Sequence, residues 1–337
     1  MSFKRLTPSD FLVSADSVTA PCWTNNVYNL TTFFTSSTQV NSSQGSYVVA
    51  TYQTSSTTTS AAIQFYLGYA NAAGSGSVPY DSNVPGYSPS RTLYGQYRNL
   101  ILEDENSAFI FGNVTQSEFY VISVERSNYK QSLMPGSLNL ILSGALASTL
   151  KLTDNSNDVS VVPYINGTRV YQIVSGSNGS AYSGTGYSVS SGSYGWFIPD
   201  MGTILLNSKA LEVTGSNGGL GLTVTRTNSS NTANYSTIFN AISSSKSFSL
   251  NSQENITSDY VYVRPQNAEF NYTTNPSFIS GSTGEVLYSS FINNPQTYIT
   301  TVGLYNDANE LLAVAKLSRP LVKDFTKEAL IRVKLDF

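Results

Sequence analysis

The sequence predicts a mainly β protein: two or three β-sandwich or barrel-like domains, one short helix and long loops. Three observations carry that expectation. Ser, Thr and Asn supply 53, 33 and 30 of the 337 residues, and short uncharged polar side chains compete with a helical backbone for its hydrogen bonds. The 23 Tyr and 16 Phe join Thr as residues that suit a pleated surface. Short apolar runs alternate with clusters of Gly, Ser and Asn, the pattern of strands joined by turns.

Along the chain, Thr7-Pro8-Ser9-Asp10-Phe11 reads as a capped helical turn, because Pro and Ser/Asp favour a helix start. Ser46–Tyr52 and Ala61–Leu67 read as a hairpin across a polar connection. The Gly- and Pro-rich segment Ala70–Arg91 lacks apolar periodicity and is expected to be an exposed loop. Asn99–Leu102, Ala108–Phe111 and Phe119–Val124 have the length and residue types of strands. These elements make residues 1–150 an N-terminal β domain.

Residues 151–265 form an expected middle β domain, with short strands at Val159–Ile165, Val170–Val174, Trp196–Ile198, Ile204–Leu206 and Leu220–Val224. Its one helix is expected near 232–242, where Tyr235, Ile238, Phe239 and Ile242 recur at helical spacing as a core stripe. Residues 266–337 form a C-terminal β segment. Tyr298–Tyr305 and Glu310–Leu317 flank the turn Asn306–Asn309 as a hairpin, and Leu330–Phe337 alternates apolar and charged residues as a strand does. That last strand either closes its own sheet or adds to a neighbour's.

Composition excludes several kinds of chemistry. With no histidine, imidazole bases and the Ser-His-Asp and Cys-His arrangements are absent. The single Cys22 makes neither an intrachain disulfide nor a thiolate zinc site. Eighteen basic and 21 acidic residues leave a net charge of −3 without a basic cluster, so nucleic acid is not an expected partner. Met1–Leu6 is followed by polar residues rather than an apolar core, so no signal peptide is expected. The most apolar stretch, Leu138–Leu152, is too interrupted to span a bilayer, and no membrane insertion is expected.

Candidate sites are few. Asp154-Asn-Ser-Asn-Asp158 spaces its oxygens like a calcium loop, yet Val159 and Ile165 stand where the turn glycine and bidentate Glu belong. It reads as a solvated turn. Glu103-Asp104-Glu105 reads as a solvated loop, and no phosphate-cradling glycine motif follows a strand. No catalytic residue, metal ligand or cofactor is assigned. Trp23 and Trp196 read as core residues.

The strings Thr31–Gln39, Tyr87–Leu100 and Gly192–Asp200 form a recognisable set with Tyr298-Ile-Thr-Thr-Val-Gly-Leu-Tyr-Asn-Asp-Ala-Asn-Glu-Leu-Leu-Ala-Val-Ala-Lys-Leu317 and the strand after it. Together they resemble virion structural proteins of contractile-tailed, T4-like phages that infect marine cyanobacteria. The resemblance covers most of the chain. It implies a non-enzymatic virion component, a baseplate wedge protein of the tail that joins neighbouring subunits after assembly in the host cytoplasm. It implies other virion structural proteins as partners, in a homo- or hetero-oligomer. Tyr298, Tyr305, Leu317, Arg319, Arg332, Lys334 and Phe337 are the candidate partner-facing residues, by strand addition. Three other readings stay open: a glycan- or receptor-binding tail adhesin, a neck- or capsid-associated protein, and a glycan-degrading enzyme using Glu103 or Asp200.

Overall fold

A computed structural model of the chain describes all residues except 1–2, 36–47, 56–57, 60, 78–87, 144–148, 183–191, 214–217, 226, 273–274 and 337, with the backbone alone at 228–230 and 232. The protein is mainly β. It divides into two units, residues 18–254 and residues 1–17 with 255–337. The chain therefore leaves the second unit early and returns to it late. The boundary expected near residue 150 falls inside a single sheet, because the strands on either side of it pair with each other.

In chain order, β1 (Phe11–Pro21), β2 (Asn29–Leu30), β3 (Phe34–Thr35), β4 (Val48–Tyr52) and β5 (Ile63–Asn71) precede helix α1 (Pro89–Leu102). There follow β6 (Phe109–Phe111), β7 (Val114–Gln116), β8 (Glu118–Val124), β9 (Ser132–Leu133), β10 (Asn139–Ser143), β11 (Thr149–Asp154), β12 (Tyr164–Ile165), β13 (Thr168–Arg169), β14 (Tyr171–Ser177) and β15 (Ser180–Ala181). Then come β16 (Gly195–Ile198), β17 (Thr203–Asn207), α2 (Ser208–Glu212), α3 (Asn228–Ser245), β18 (Phe248–Ser249) and β19 (Asn251–Val263). The last are α4 (Ser289–Asn293), β20 (Thr297–Tyr305), β21 (Leu311–Lys323) and β22 (Ile331–Asp336).

The unit 18–254 is organised by one 12-stranded sheet, in the order β2-β18-β10-β11-β14-β16-β17-β8-β5-β4-β3, with β15 beside β14. Its two end strands are joined by Thr31, Thr32 and Phe33 alone, a link that reaches about 14 Å at full extension. Eleven strands laid flat would span about 48 Å. The sheet therefore curls until its edges approach each other, and it acquires an inside and an outside.

Side-chain alternation follows that geometry. Tyr120, Ile122, Phe197, Ile204 and Leu206 point inward and pack with Leu30, Phe65, Leu140, Ile173 and Phe248 in one buried cluster. The helix α3 supplies Tyr235, Ile238, Ala241 and Ile242 to the same interior. The expected helix at 232–242 is thus present, longer at both ends, and its stripe is core. Trp23 sits there too, its Nε1 donating to the Phe248 carbonyl at 2.8 Å.

The intervening residues Phe119, Val121, Trp196, Ile198 and Leu205 face outward and are covered by Tyr94, Tyr97 and Ile101 of α1 with Phe109 and Phe111. Phe109 meets Phe119 at 4.6 Å between ring centroids and Phe111 meets Trp196 edge-on at 5.3 Å. With both faces covered, β8, β16 and β17 are almost continuously apolar, as two-sided burial requires.

The helix α1 corrects two expectations. Asn99–Leu102 is its last turn rather than a strand, because Tyr94, Tyr97 and Ile101 follow a 3-4 spacing that lays one face on the sheet. The ends of the segment 70–91 are not exposed either, since Ala70, Asn71, Ser77, Ser88 and Ser90 are buried. The hydroxyls of Ser77, Ser88 and Ser90 lie 2.7–3.1 Å apart and tie the two ends together; residues 78–87 lie outside the described residues.

Two other expected strands do not form over their expected lengths. Only Tyr164–Ile165 of 159–165 is a strand, and Val161 and Val162 are exposed. Leu220 and Leu222 are buried, but their N–H groups donate to the Leu211 carbonyl at the end of α2 instead of to a strand. The hairpin of β4 and β5 is present, as are β14, β16 and β17.

In the other unit, β19 lies between β1 and β22. The terminal strand pairs antiparallel with β19 from Ser258↔Asp336 to Val263↔Ile331, so it closes its own sheet. The expected hairpin forms as β20 and β21, with a bulge between Ile299 and Thr301. Val261, Val302, Ile331 and Val333 make its small core, joined by Leu304, Ala315 and Leu317. Among the described residues, no helix is long and apolar enough to cross a membrane.

Candidate assembly interface

The β20–β21 ribbon has two unlike faces. Register pairs Val302 with Ala315 and Leu304 with Ala313; Val302, Leu304 and Ala315 contribute to the inner core, and Ala313 faces the same side. Gly303 pairs with Val314 and Tyr305 with Leu311 on the opposite side. The small Ala313 and Ala315 thus turn inward, while Leu312 and Val314 remain 68% and 58% exposed. A ribbon that served only its own core would place the bulky residues inward. Phe3, itself exposed, packs edge-on against Tyr305 at 5.3 Å and extends the apolar face.

The β19–β22 pair presents a second, polar face. Ile331, Val333 and Leu335 turn to the core, leaving Arg332, Lys334 and Asp336 outward. The Arg332 guanidinium lies over the Tyr260 ring at 5.4 Å and the Lys334 ammonium at 5.9 Å. Asp336 accepts from Ser258 at 2.6 Å and pairs with Lys334 at 2.9 Å, which holds its carboxyl below the usual range; the same bond raises Lys334. Among the described residues β22 has no strand on its outer side, so its outer N–H and C=O groups are open to a partner strand. Charges on an edge strand also keep it from pairing indiscriminately.

The candidate residues therefore separate. Tyr298 and Tyr305 are exposed on β20, Arg319 is exposed on β21, and Arg332 and Lys334 share the Tyr260 platform. Leu317 is half-buried and packs on the Val261–Val302–Ile331–Val333 core. Phe337 lies outside the described residues. Residue-by-residue reading did not single out Phe3, Tyr260, Leu311, Leu312 or Val314. The alternation Leu312-Ala-Val-Ala was visible, but nothing in it says which side faces out.

The residues considered for catalysis are engaged or dispersed. The Arg169 guanidinium donates to both Asp200 carboxylate oxygens, from Nε at 3.1 Å to each. Glu103, Asp104 and Glu105 are exposed just beyond α1, as a solvated loop should be. The turn at 154–158 is a different matter. Asp154 is fully buried and accepts from the Gly136 and Ser156 N–H groups at 3.0 Å. Asn155 accepts from Gln172 N–H and Asp158 from Ala181 N–H. Asn157 and Asp158 are exposed, as a solvated turn requires, but Asp154 and Asn155 are buried and engaged by backbone donors, so the turn is solvated at its far end and braced at its start. Among the described residues no cluster of three or more Cys, Asp or Glu side chains is placed to hold a metal.

No family model matches the chain, and no curated protein or solved structure matches it either. What the geometry defines is a class: a chain of two β units, one built on a large curled antiparallel sheet and a smaller one that presents an apolar ribbon face and a charged edge strand.

Proposed function

We propose that this chain is a structural, non-enzymatic subunit of a phage virion, a baseplate wedge component of a contractile tail that joins neighbouring virion proteins. Its place is the tail, reached by assembly in the host cytoplasm. One observation carries the reading: β21 turns Leu312 and Val314 outward and alanines inward, so the ribbon's larger apolar side awaits cover from another protein. The adjoining edge strand β22 offers main-chain hydrogen bonds to the same neighbour, with Arg332 and Lys334 setting register. The sequence strings that resemble cyanophage virion proteins supply the identity of the particle.

The test is cross-linking mass spectrometry of purified virions, following links from Lys316 and Lys334, with a Leu312→Asp/Val314→Asp variant beside the wild type. Links to tail-hub or wedge proteins, and loss of the variant from particles while the isolated chain stays folded, are expected. Absence of the protein from virions overturns the reading, and links confined to capsid or neck proteins move it out of the baseplate.

A further inference from the structure

Lys323, the last residue of β21, is fully buried, a position lysine almost never takes unless it is paired. Its ammonium donates to the Asn267 carbonyl at 2.9 Å, to Asn271 Oδ1 at 3.0 Å and to the Asp324 carbonyl at 3.0 Å. All three hydrogens are thereby used, and all three acceptors are uncharged. A buried charge held only by neutral oxygens recovers little of its desolvation cost.

Asn271 is fixed as closely. It is buried, and while its Oδ1 accepts from Lys323, its Nδ2 donates to the Asn267 carbonyl at 2.5 Å. Thr297, opposite Lys323 in the β20–β21 register, donates from Oγ1 to the adjoining Phe270 carbonyl at 2.7 Å and keeps Asn271 beside the end of β21. A C=O bond is about 1.2 Å long, so Asn271 Cγ lies within about 4.2 Å of Lys323 Nζ. A shift of under about 1 Å brings the two atoms to a near-attack separation of about 3–3.5 Å. Glu269 supplies a carboxylate two residues away. It accepts from the Gln266 N–H and from Lys4, both at 2.9 Å, and these bonds, with the charge of Lys323 adding to them, hold its carboxyl below the usual range and keep it ionised.

We propose that Lys323 and Asn271 are a self-cross-linking pair that forms an intramolecular isopeptide bond, with Glu269 carrying the proton. A lysine amine is a nucleophile only when it is neutral, so the ammonium first passes a proton to the Glu269 carboxylate. The amine then forms the Nζ–Cγ bond and the Cγ–Nδ2 bond breaks. Nδ2 departs as an ammonium ion with two of the three Lys323 hydrogens, one of them returned by Glu269; the third stays on the new amide. Nothing is oxidised or reduced, and no co-reactant is needed. The reaction replaces a buried charge with a neutral amide, and burial of both side chains keeps out the water that would compete for Cγ.

The experiment is intact-mass spectrometry of the denatured full-length protein, followed by peptide mapping. The wild type is expected to be lighter than its sequence by one ammonia and to yield a branched peptide joined at positions 271 and 323. Lys323→Met should show its full sequence mass. So should Glu269→Gln, with circular dichroism confirming that it folds. A wild type of full sequence mass overturns the proposal. An ammonia loss that persists in Lys323→Met does so too, since it marks ring closure at an Asn-Gly pair such as Asn166-Gly167. A folded Glu269→Gln that cross-links as fast as the wild type overturns the role given to Glu269. The measurement needs no virion, so its failure and that of the assembly reading are separate.

Discussion

Tyr69 donates its hydroxyl hydrogen to Glu118 Oε2 at 2.5 Å, and both residues are buried on adjacent strands of the curled sheet. Asn71 donates to the same oxygen at 3.1 Å, and the Lys209 ammonium stands 3.4 Å from the other. Burial, then the nearby carboxylate, push the Tyr69 phenol far above its ordinary range, so it remains a donor. Tyr69→Phe removes a hydrogen bond to a buried charged group, worth about 1.5–3 kcal/mol. Urea unfolding should show a loss of that size with an unchanged m-value; a loss under about 0.5 kcal/mol would mean that Asn71 and Lys209 suffice.

Gly195 sits at φ +139, where an added Cβ would lie 1.7 Å from the Leu205 carbonyl oxygen on the neighbouring strand. Gly195→Ala should break the β16–β17 pairing and cost more than about 3 kcal/mol, or abolish soluble expression. Gly281, with nothing within 4 Å of its would-be Cβ, is the control. Its alanine variant should melt within a degree or two of the wild type, on the order of 0.5 kcal/mol.

Burial pushes the Cys22 thiol up to about 12. A thiol reagent at neutral pH should therefore label it only when the structure opens, because the thiolate is the nucleophile. Mass spectrometry of labelled protein should give a rate that rises with urea in step with unfolding. Rapid labelling without denaturant would show that the Trp23–Leu30 region opens separately.

Asp154 is raised above the ordinary carboxylate value of 3.8, burial outweighing the backbone donors that oppose it. A raised folded pKa means that the fold favours the protonated form. The resulting stability is complete below 3.8 and is lost as pH climbs through the folded value. Asp10, Asp104, Glu269, Asp324 and Asp336 are shifted the opposite way, so the wild-type curve alone hides the effect. The stability difference between wild type and Asp154→Asn isolates it, and should shrink as pH rises through the mildly acidic range. A difference that widened would mean that the N–H donors, not desolvation, dominate.

Lys323→Met leaves the Asn267 carbonyl and Asn271 Oδ1 without their buried donor, a penalty of about 1–3 kcal/mol per group. The segment between β19 and β20 should loosen before the rest of the chain does. Limited proteolysis is expected to cut the variant first between residues 272 and 296, and cleavage no faster than in wild type would count against that anchoring.

Residue type alone made the β class legible. Thr, Tyr and Phe runs between Ser/Asn/Gly turns located β4, β5, β8, β16, β17 and the β20–β21 hairpin, and the stripe Tyr235–Ile238–Ile242 located α3. The same reasoning missed α1. Its core face is built from Ser90, Tyr94, Tyr97 and Ile101, polar or aromatic residues without a continuous apolar stripe, and Asn99–Leu102 taken by itself has the look of a strand. Asp154 was misjudged as solvated because its donors, Gly136 and Ser156, come from a turn and from a segment 18 residues away.

What the amino-acid order determined by itself is local: alternation makes strands, 3-4 spacing makes α3, the absence of histidine removes imidazole chemistry, and the Asn306–Asn309 turn makes a hairpin. Tertiary structure decided everything that depends on which face meets which. Leu312-Ala-Val-Ala can bury either parity, and only the packing of Val302 and Leu304 against Ala315 and Ala313 put Leu312 and Val314 outside. The curl of the sheet was likewise invisible, since it follows from β2 and β3, neighbours in sequence, pairing at opposite ends of an eleven-strand path. Strand alternation states that two faces exist; long-range pairing chooses the one that becomes the interior.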